Sequence, residues 1–111
     1  MYIEDSLWRQ EGLNDMKEIN KLTDLEVEIM GVLWNSKDNL TIQQITDKLN
    51  SYSIPSITQA MKHLVNKKAV VVAEHILVSN VYARTFKTCY TPEDYFEAEL
   101  KRLRKLAGIQ N

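Results

Sequence analysis

The polar residues best suited to bind a ligand in this 111-residue chain recur along one predicted helix. They lie opposite its apolar positions, and all carry hydrogen-bonding or cationic groups: Ser56, Gln59, Lys62, His63, Asn66 and Lys67. No carboxylate lies among them, as expected for a surface that meets phosphates. Gln59 suits an adenine edge and Ser56 a base or phosphate, whereas Lys62, His63 and Lys67 suit the backbone or guanine. This face therefore has the chemistry of a nucleic-acid-binding surface.

Whole-chain charge argues against that interpretation, but the charge is unevenly distributed. Fourteen Lys and Arg against fifteen Asp and Glu give a formal net charge of −1, whereas a basic domain is usual for nucleic-acid binding. Residues 1–40 carry nine acids and four bases, residues 41–92 two acids and six bases, and residues 93–111 four of each. The middle segment is thus +4. An ordinary solvated face is the alternative explanation for this positive charge. Which explanation holds depends on the structural elements that carry the basic residues.

Three short helices are predicted around this segment. The first two begin with capping-box motifs, Thr23 with Glu26 and Thr41 with Gln44. The first helix ends at Trp34 and the second near Asn50, and Ser53 caps the third, with Pro55 in its first turn. Two helices joined by a tight turn are typical of a helix-turn-helix, whose second helix enters the DNA major groove.

A β-hairpin is predicted after the third helix. The run 69–73 is β-branched and strand-length, 77–80 can turn the chain with its tip at Ser79-Asn80, and 81–86 alternates as a return strand. A hairpin in this position is a wing that lies against the sugar-phosphate backbone. Its tip is poorly basic, so we expect only a small contribution to affinity from Arg84, Lys87 or His75.

A last helix is predicted from the Thr91 cap and Pro92 to a stop at Gly108. Its apolar positions step by four, three and four: Phe96, Leu100, Leu103 and Ala107. They could pack on the chain's own core, but we favour pairing with a second chain. The expected organisation is an N-terminal arm or helix (1–21), a winged helix-turn-helix domain (22–88) and a C-terminal dimerisation helix (89–111), in a mainly α fold with a small β-hairpin (α+β).

Several other classes of protein are not predicted. Cys89 is the single cysteine, so neither an intramolecular disulfide nor a cysteine-rich zinc site is expected. His63 and His75 lack partners at metal-ligand spacing, and no glycine-rich phosphate loop or catalytic carboxylate pair stands out. The sequence shows no signal peptide and no run long enough to cross a bilayer. We expect a cytoplasmic protein that is not an enzyme and has no cofactor, metal or evident small-molecule ligand.

With its elements in this order, the sequence resembles the penicillinase repressor family (BlaI/MecI/CopY type) of bacterial winged-helix regulators. The matching stretches are 22–34 with its EIMGVLW element, 40–45, Tyr52-Ser53, Ile57, Leu64-Val65, Lys67 and the helix start 91–95. The resemblance implies a homodimer that binds a palindromic operator in double-stranded DNA. It places Pro55, Ser56, Gln59 and His63 on the DNA. With Lys62, Lys67, Thr41 and Arg84 they form the predicted DNA-binding set.

Two residues depart from the family pattern. His63 replaces the usual arginine and is only partly charged near neutral pH, and Lys68 replaces the glycine that ends the recognition helix. The sequence as given also ends at Asn111, without further dimerisation helices or a C-terminal cysteine pair, so release of repression by a sensor protease or by copper is not predicted. A winged-helix adaptor that binds proteins instead of DNA stays the alternative hypothesis.

Overall fold

A computed structural model describes residues 19–109 as four helices and one antiparallel two-stranded sheet. The elements are α1 (Asp24–Trp34), α2 (Ile42–Lys48), α3 (Ile54–Asn66), β1 (Val70–Val78), β2 (Val81–Thr88) and α4 (Pro92–Ala107). This order confirms the mainly α, winged-helix fold class. The arm predicted for 1–21 falls mostly on residues 1–18, which lie outside the described residues, and residues 19–21 are not helical.

Local capping fixes where the helices begin. The Thr23–Glu26, Thr41–Gln44 and Thr91–Asp94 pairs all form complete capping boxes, and the Ser53 hydroxyl accepts from the Ser56 amide at 3.3 Å. These starts agree with the sequence predictions. Helix α2 ends at Lys48, two residues before the expected position near Asn50.

One apolar core holds the helices against the hairpin. Its fully buried members come from every element of the winged helix, among them Ile29 and Met30 of α1, Ile45 of α2, Ile57, Met61 and Leu64 of α3, and Phe86 of β2. A bridge between Leu40 and Phe86 attaches the start of the helix-turn-helix to the wing. Because α3 buries its apolar face completely, the opposite face is directed to solvent.

The hairpin is longer than its apolar run suggested. Strands β1 and β2 pair from Val70–Thr88 to Val78–Val81, with a bulge between Val72 and Glu74. The turn is only Ser79 and Asn80, whose φ angles of 51° and 68° are those of a two-residue type I′ hairpin. The outer half of β1 is exposed, so pairing with β2 and not burial extends it beyond the 69–73 segment.

Helix α3 ends in a Schellman motif despite the missing glycine. Lys68 adopts φ 62°, in the left-handed region, and its amide donates to the Val65 carbonyl at 3.0 Å. The Ala69 amide donates to the Leu64 carbonyl at 2.9 Å. The chain therefore turns into β1 at a position where the resemblance predicts glycine. Lys68 adopts there a backbone conformation that is unfavourable for residues with a Cβ atom.

Helix α4 is fastened to the domain at its first turn. The Leu22 amide donates to the Tyr95 hydroxyl at 3.0 Å, and the Trp34 indole donates to the Tyr90 carbonyl at 2.8 Å. Burial raises the pKa values of Tyr90 and Tyr95, so both stay neutral at physiological pH. Beyond this anchor the apolar positions are open to solvent. No helix within residues 19–109 has the length and apolar character needed to cross a membrane.

Candidate nucleic-acid interface

The exposed face of α3 brings together four of the residues singled out in the sequence. Pro55, Ser56, Gln59 and His63 are all solvent-exposed and lie along about two and a half turns of one helix. The Gln59 amide nitrogen is 3.4 Å from His63 Nε2, so these two side chains are neighbours. The result is a continuous row of donors and acceptors outside the core.

The N-terminal end of this row is organised by the helix cap. The hydroxyls of Ser53 and Ser56 are 3.1 Å apart, while Ser53 also caps the helix amides. Pro55 stands in the first turn, where its lack of an N–H leaves no helical hydrogen bond unmade. The first turn of α3 therefore begins at a side-chain cap and a proline, and it leaves small polar groups exposed at the surface.

The two lysines assigned to DNA are less available than their spacing suggested. Lys62 and Lys67 are both partly buried. The Lys67 ammonium donates to Glu26 Oε1 at 2.5 Å and to the Lys21 carbonyl at 3.3 Å. Lys67 follows the last residue of α3 as its C-cap, and the structure directs its side chain towards α1.

A carboxylate from a different helix lies beneath this acid-free face. The side chain of Glu26 in α1 is only 2 % exposed, and its Oε2 lies 3.7 Å from His63 Nδ1. Sequence reasoning assigned Glu26 to the capping box, which it does form, but missed its contact with α3. No sequence signal gave that contact, because it depends on how α1 and α3 pack.

The remaining predicted residues, Thr41 and Arg84, lie together between α2 and the wing. With Gln43, Val78 and Phe86, among others, they line a groove of about 240 Å³. Thr41 is buried and its hydroxyl caps α2 by accepting from the Gln44 amide at 3.1 Å, whereas Arg84 lies opposite His75 in the hairpin. They form a second cluster, between α2 and the wing.

The wing tip is apolar. Four side chains next to the turn are largely exposed, namely Leu77, Val78, Val81 and Tyr82, with exposed fractions from 48 % to 69 %. This chemistry fits the low basicity noted in the sequence. The cationic side chains of β2, Arg84 and Lys87, therefore lie away from the tip, towards the base of the wing.

Within residues 19–109, no three His, Cys, Asp or Glu side chains lie close enough to share a metal ion. The single cysteine, Cys89, is exposed.

Taken together, α2 and α3 form a helix-turn-helix, and the β1–β2 hairpin forms its wing. The family model described as Penicillinase repressor matches residues 22–105. The chain therefore belongs to the penicillinase repressor family, whose members are DNA-binding transcriptional regulators and not enzymes. A search among curated proteins finds no match.

Proposed function

We propose that the chain is a cytoplasmic bacterial repressor that binds a palindromic operator in double-stranded DNA as a homodimer. The observation that carries this proposal is the exposed row on α3, from Pro55 to His63, in a member of a DNA-binding family. Placed in the major groove, such a row meets base edges with its side chains while the core holds the helix from behind.

Each residue of the row has a distinct part in the proposed recognition. The Gln59 amide pairs with the N6 and N7 atoms of an adenine, which use one donor and one acceptor in fixed geometry. His63 and Ser56 flank it, one helical turn and nearly one turn away, and reach neighbouring bases or phosphates. Arg84, in the groove that Thr41 also lines, contacts the sugar-phosphate backbone, while Thr41 holds the adjacent start of α2.

Dimerisation is assigned to α4. The exposed fractions of Phe96, Leu100, Leu103 and Leu106 lie between 49 % and 71 %, and all four residues belong to a helix with a polar opposite face. Packing this face against a second copy would remove it from water. A two-fold dimer presents two α3 helices and so requires an operator with two inverted half-sites.

A mobility-shift titration with DNA from upstream of the chain's own gene tests the proposal. Gln59→Ala removes a bidentate base contact and is expected to weaken binding by about 1–3 kcal/mol per half-site. Gln43→Ala is the matched control, since Gln43 is an exposed glutamine of α2, the helix that crosses the backbone. It is expected to leave sequence preference unchanged. Equal losses for the two variants on every duplex would contradict base recognition by Gln59.

The apolar wing tip favours the second candidate function, a protein-binding adaptor. Leu77 and Tyr82 are 58 % and 69 % exposed, and exposed apolar patches commonly mark protein contacts. The same titration separates the candidates. An adaptor would bind no promoter fragment even at low salt, whereas a repressor binds tightly with strong salt dependence.

A further inference from the structure

The buried carboxylate of Glu26 does more than cap a helix. Its Oε1 accepts from the Thr23 amide at 3.0 Å, which completes the capping box of α1. The same oxygen accepts from the Lys67 ammonium at 2.5 Å, and Oε2 is 3.7 Å from His63 Nδ1. One residue of α1 therefore contacts two basic residues of the proposed recognition helix.

Capping alone does not require a negative charge at this position. In α2 the same capping box is completed by a neutral amide, with the Thr41 amide donating to Gln44 Oε1 at 2.9 Å. Gln44 is exposed, whereas Glu26 is buried, and burying a carboxylate is unfavourable unless it is paired. The charge of Glu26 is thus explained by its basic partners and not by the cap.

The pairing changes what α3 offers to DNA. Lys67 is tied to Glu26 and to the Lys21 carbonyl, so its charge is neutralised at a surface where it would otherwise attract phosphates. His63 keeps half of its side chain exposed, with Nδ1 towards Glu26 and Nε2 towards Gln59. The Glu26 carboxylate therefore weakens the attraction of this surface for phosphates. It leaves the row of α3 side chains from Pro55 to His63 exposed.

We propose that Glu26 sets the sequence specificity of the DNA interface by withholding Lys67 from the phosphates and orienting His63 beside Gln59. This inference rests on the proposed DNA-binding function. Phosphate contacts stabilise specific and non-specific complexes alike, so neutralising Lys67 lowers non-specific binding and makes discrimination depend on contacts to bases. Glu26 is a positioning residue, since it lies under the interface and not on it.

The test measures binding of the full chain to two duplexes across about 50–200 mM NaCl. One duplex is selected from randomised DNA by the wild-type protein, and the other is a shuffled sequence of equal composition. Glu26→Gln preserves the cap, as Gln44 does in α2, and releases Lys67. We expect tighter binding to the shuffled duplex, a lower ratio of selected to shuffled affinity, and a salt slope steeper by about 0.9 per protomer.

Two further variants exclude a general charge effect. Glu28→Gln makes the same charge change at an exposed position of α1, whose carboxylate accepts from the Tyr52 hydroxyl at 3.3 Å. It is expected to affect both duplexes equally without steepening the salt slope. The double variant Glu26→Gln with Lys67→Gln replaces an ion pair of zero net charge by two uncharged side chains. It is expected to show the wild-type salt slope.

The outcomes are distinguishable. The proposed role of Glu26 is overturned if Glu26→Gln behaves like Glu28→Gln. It is also overturned if the salt slope of the double variant is shallower than that of the wild-type chain by about 0.9 per protomer, because Lys67 would then already contact phosphate in the wild type. If Glu26→Gln does not fold, as judged by thermal melting, the double variant decides the question by itself. Failure of the wild-type chain to bind any duplex would instead overturn the proposed function.

Discussion

At the residue scale, Lys68 shows how the helix-to-wing junction tolerates a departure from the family pattern. Its φ of 62° is a conformation in which an L side chain costs about 1–2 kcal/mol, and glycine adopts it without that cost. The amides of Lys68 and Ala69 nevertheless make both hydrogen bonds of the Schellman motif. The motif and the burial of Ala69 and Val70 therefore compensate for the strain.

We expect Lys68→Gly to raise the free energy of unfolding by about 1 kcal/mol, because relief of the strain exceeds the added entropy of the unfolded chain. Chemical denaturation followed by circular dichroism measures the change. Lys68→Ala is the control, since it removes the same charge but keeps a Cβ atom, and it is expected to give no such gain. Equal stabilisation by the two variants would show that charge and not backbone strain is responsible.

Residue-level prediction from the sequence succeeded where a pattern repeats along one helix. Periodicity alone separates Gln59 and His63 from the buried Ile57 and Met61, and the structure shows the same division. It did not show that Lys67 points to Glu26, because that contact joins residues 41 positions apart. The predicted DNA-binding role of Lys67 therefore needs the experiment described above.

At the element scale, α4 is the helix whose apolar face is left mostly uncovered by residues 19–109. Only Tyr95 among its residues is buried, against Leu22, while its other apolar positions are exposed. The sequence left open whether this face packs on the chain's own core. Within residues 19–109 the core takes up the first turn of α4 and no more, which supports the pairing with a second chain proposed above.

The double variant Leu100→Ser with Leu103→Ser is expected to convert the dimer to a monomer. Burying a Leu side chain fully contributes about 1.5–3 kcal/mol, and Leu100 and Leu103 are about half exposed, so pairing gains about half of that from each. A two-fold interface loses four such contributions, at least about 3 kcal/mol, so the dissociation constant rises at least about 100-fold. Sedimentation velocity measures the mass. Lys101→Ser with Arg104→Ser alters two exposed polar positions of the same helix and is expected to leave the dimer intact. A dimer that survives the leucine changes would place the interface elsewhere.

Elements were predictable to the extent that their ends carry local signals. The starts of all four helices follow from the caps at Thr23, Thr41, Ser53 and Thr91, each of which acts within three residues. The outer half of β1 carries no such signal, since its side chains are exposed and its pairing partner lies across the hairpin. Long-range pairing therefore set the two strand ends that periodicity placed too early, Val78 of β1 instead of residue 73 and Thr88 of β2 instead of residue 86.

At the scale of the whole molecule, the net charge of −1 conceals an arrangement that favours DNA on one side. The basic segment 41–92 contains the helix-turn-helix and the wing, but one of its six bases, Lys67, is neutralised by Glu26 from the acidic front of the chain. The wing tip exposes apolar side chains and carries no charged ones. In the proposed complex, weak phosphate attraction per protomer makes specific binding depend on base contacts and on two linked half-sites.

The most direct test of the central claim, sequence-specific binding as a two-fold dimer, is selection of randomised duplexes by the full wild-type chain. The account predicts enrichment of an inverted repeat whose half-site centres lie about one helical turn apart, or a multiple of it. Adenine at one position of each half-site should lose its preference in the Gln59→Ala variant. No enrichment at low salt, or enrichment of a single unrepeated site, would contradict the account.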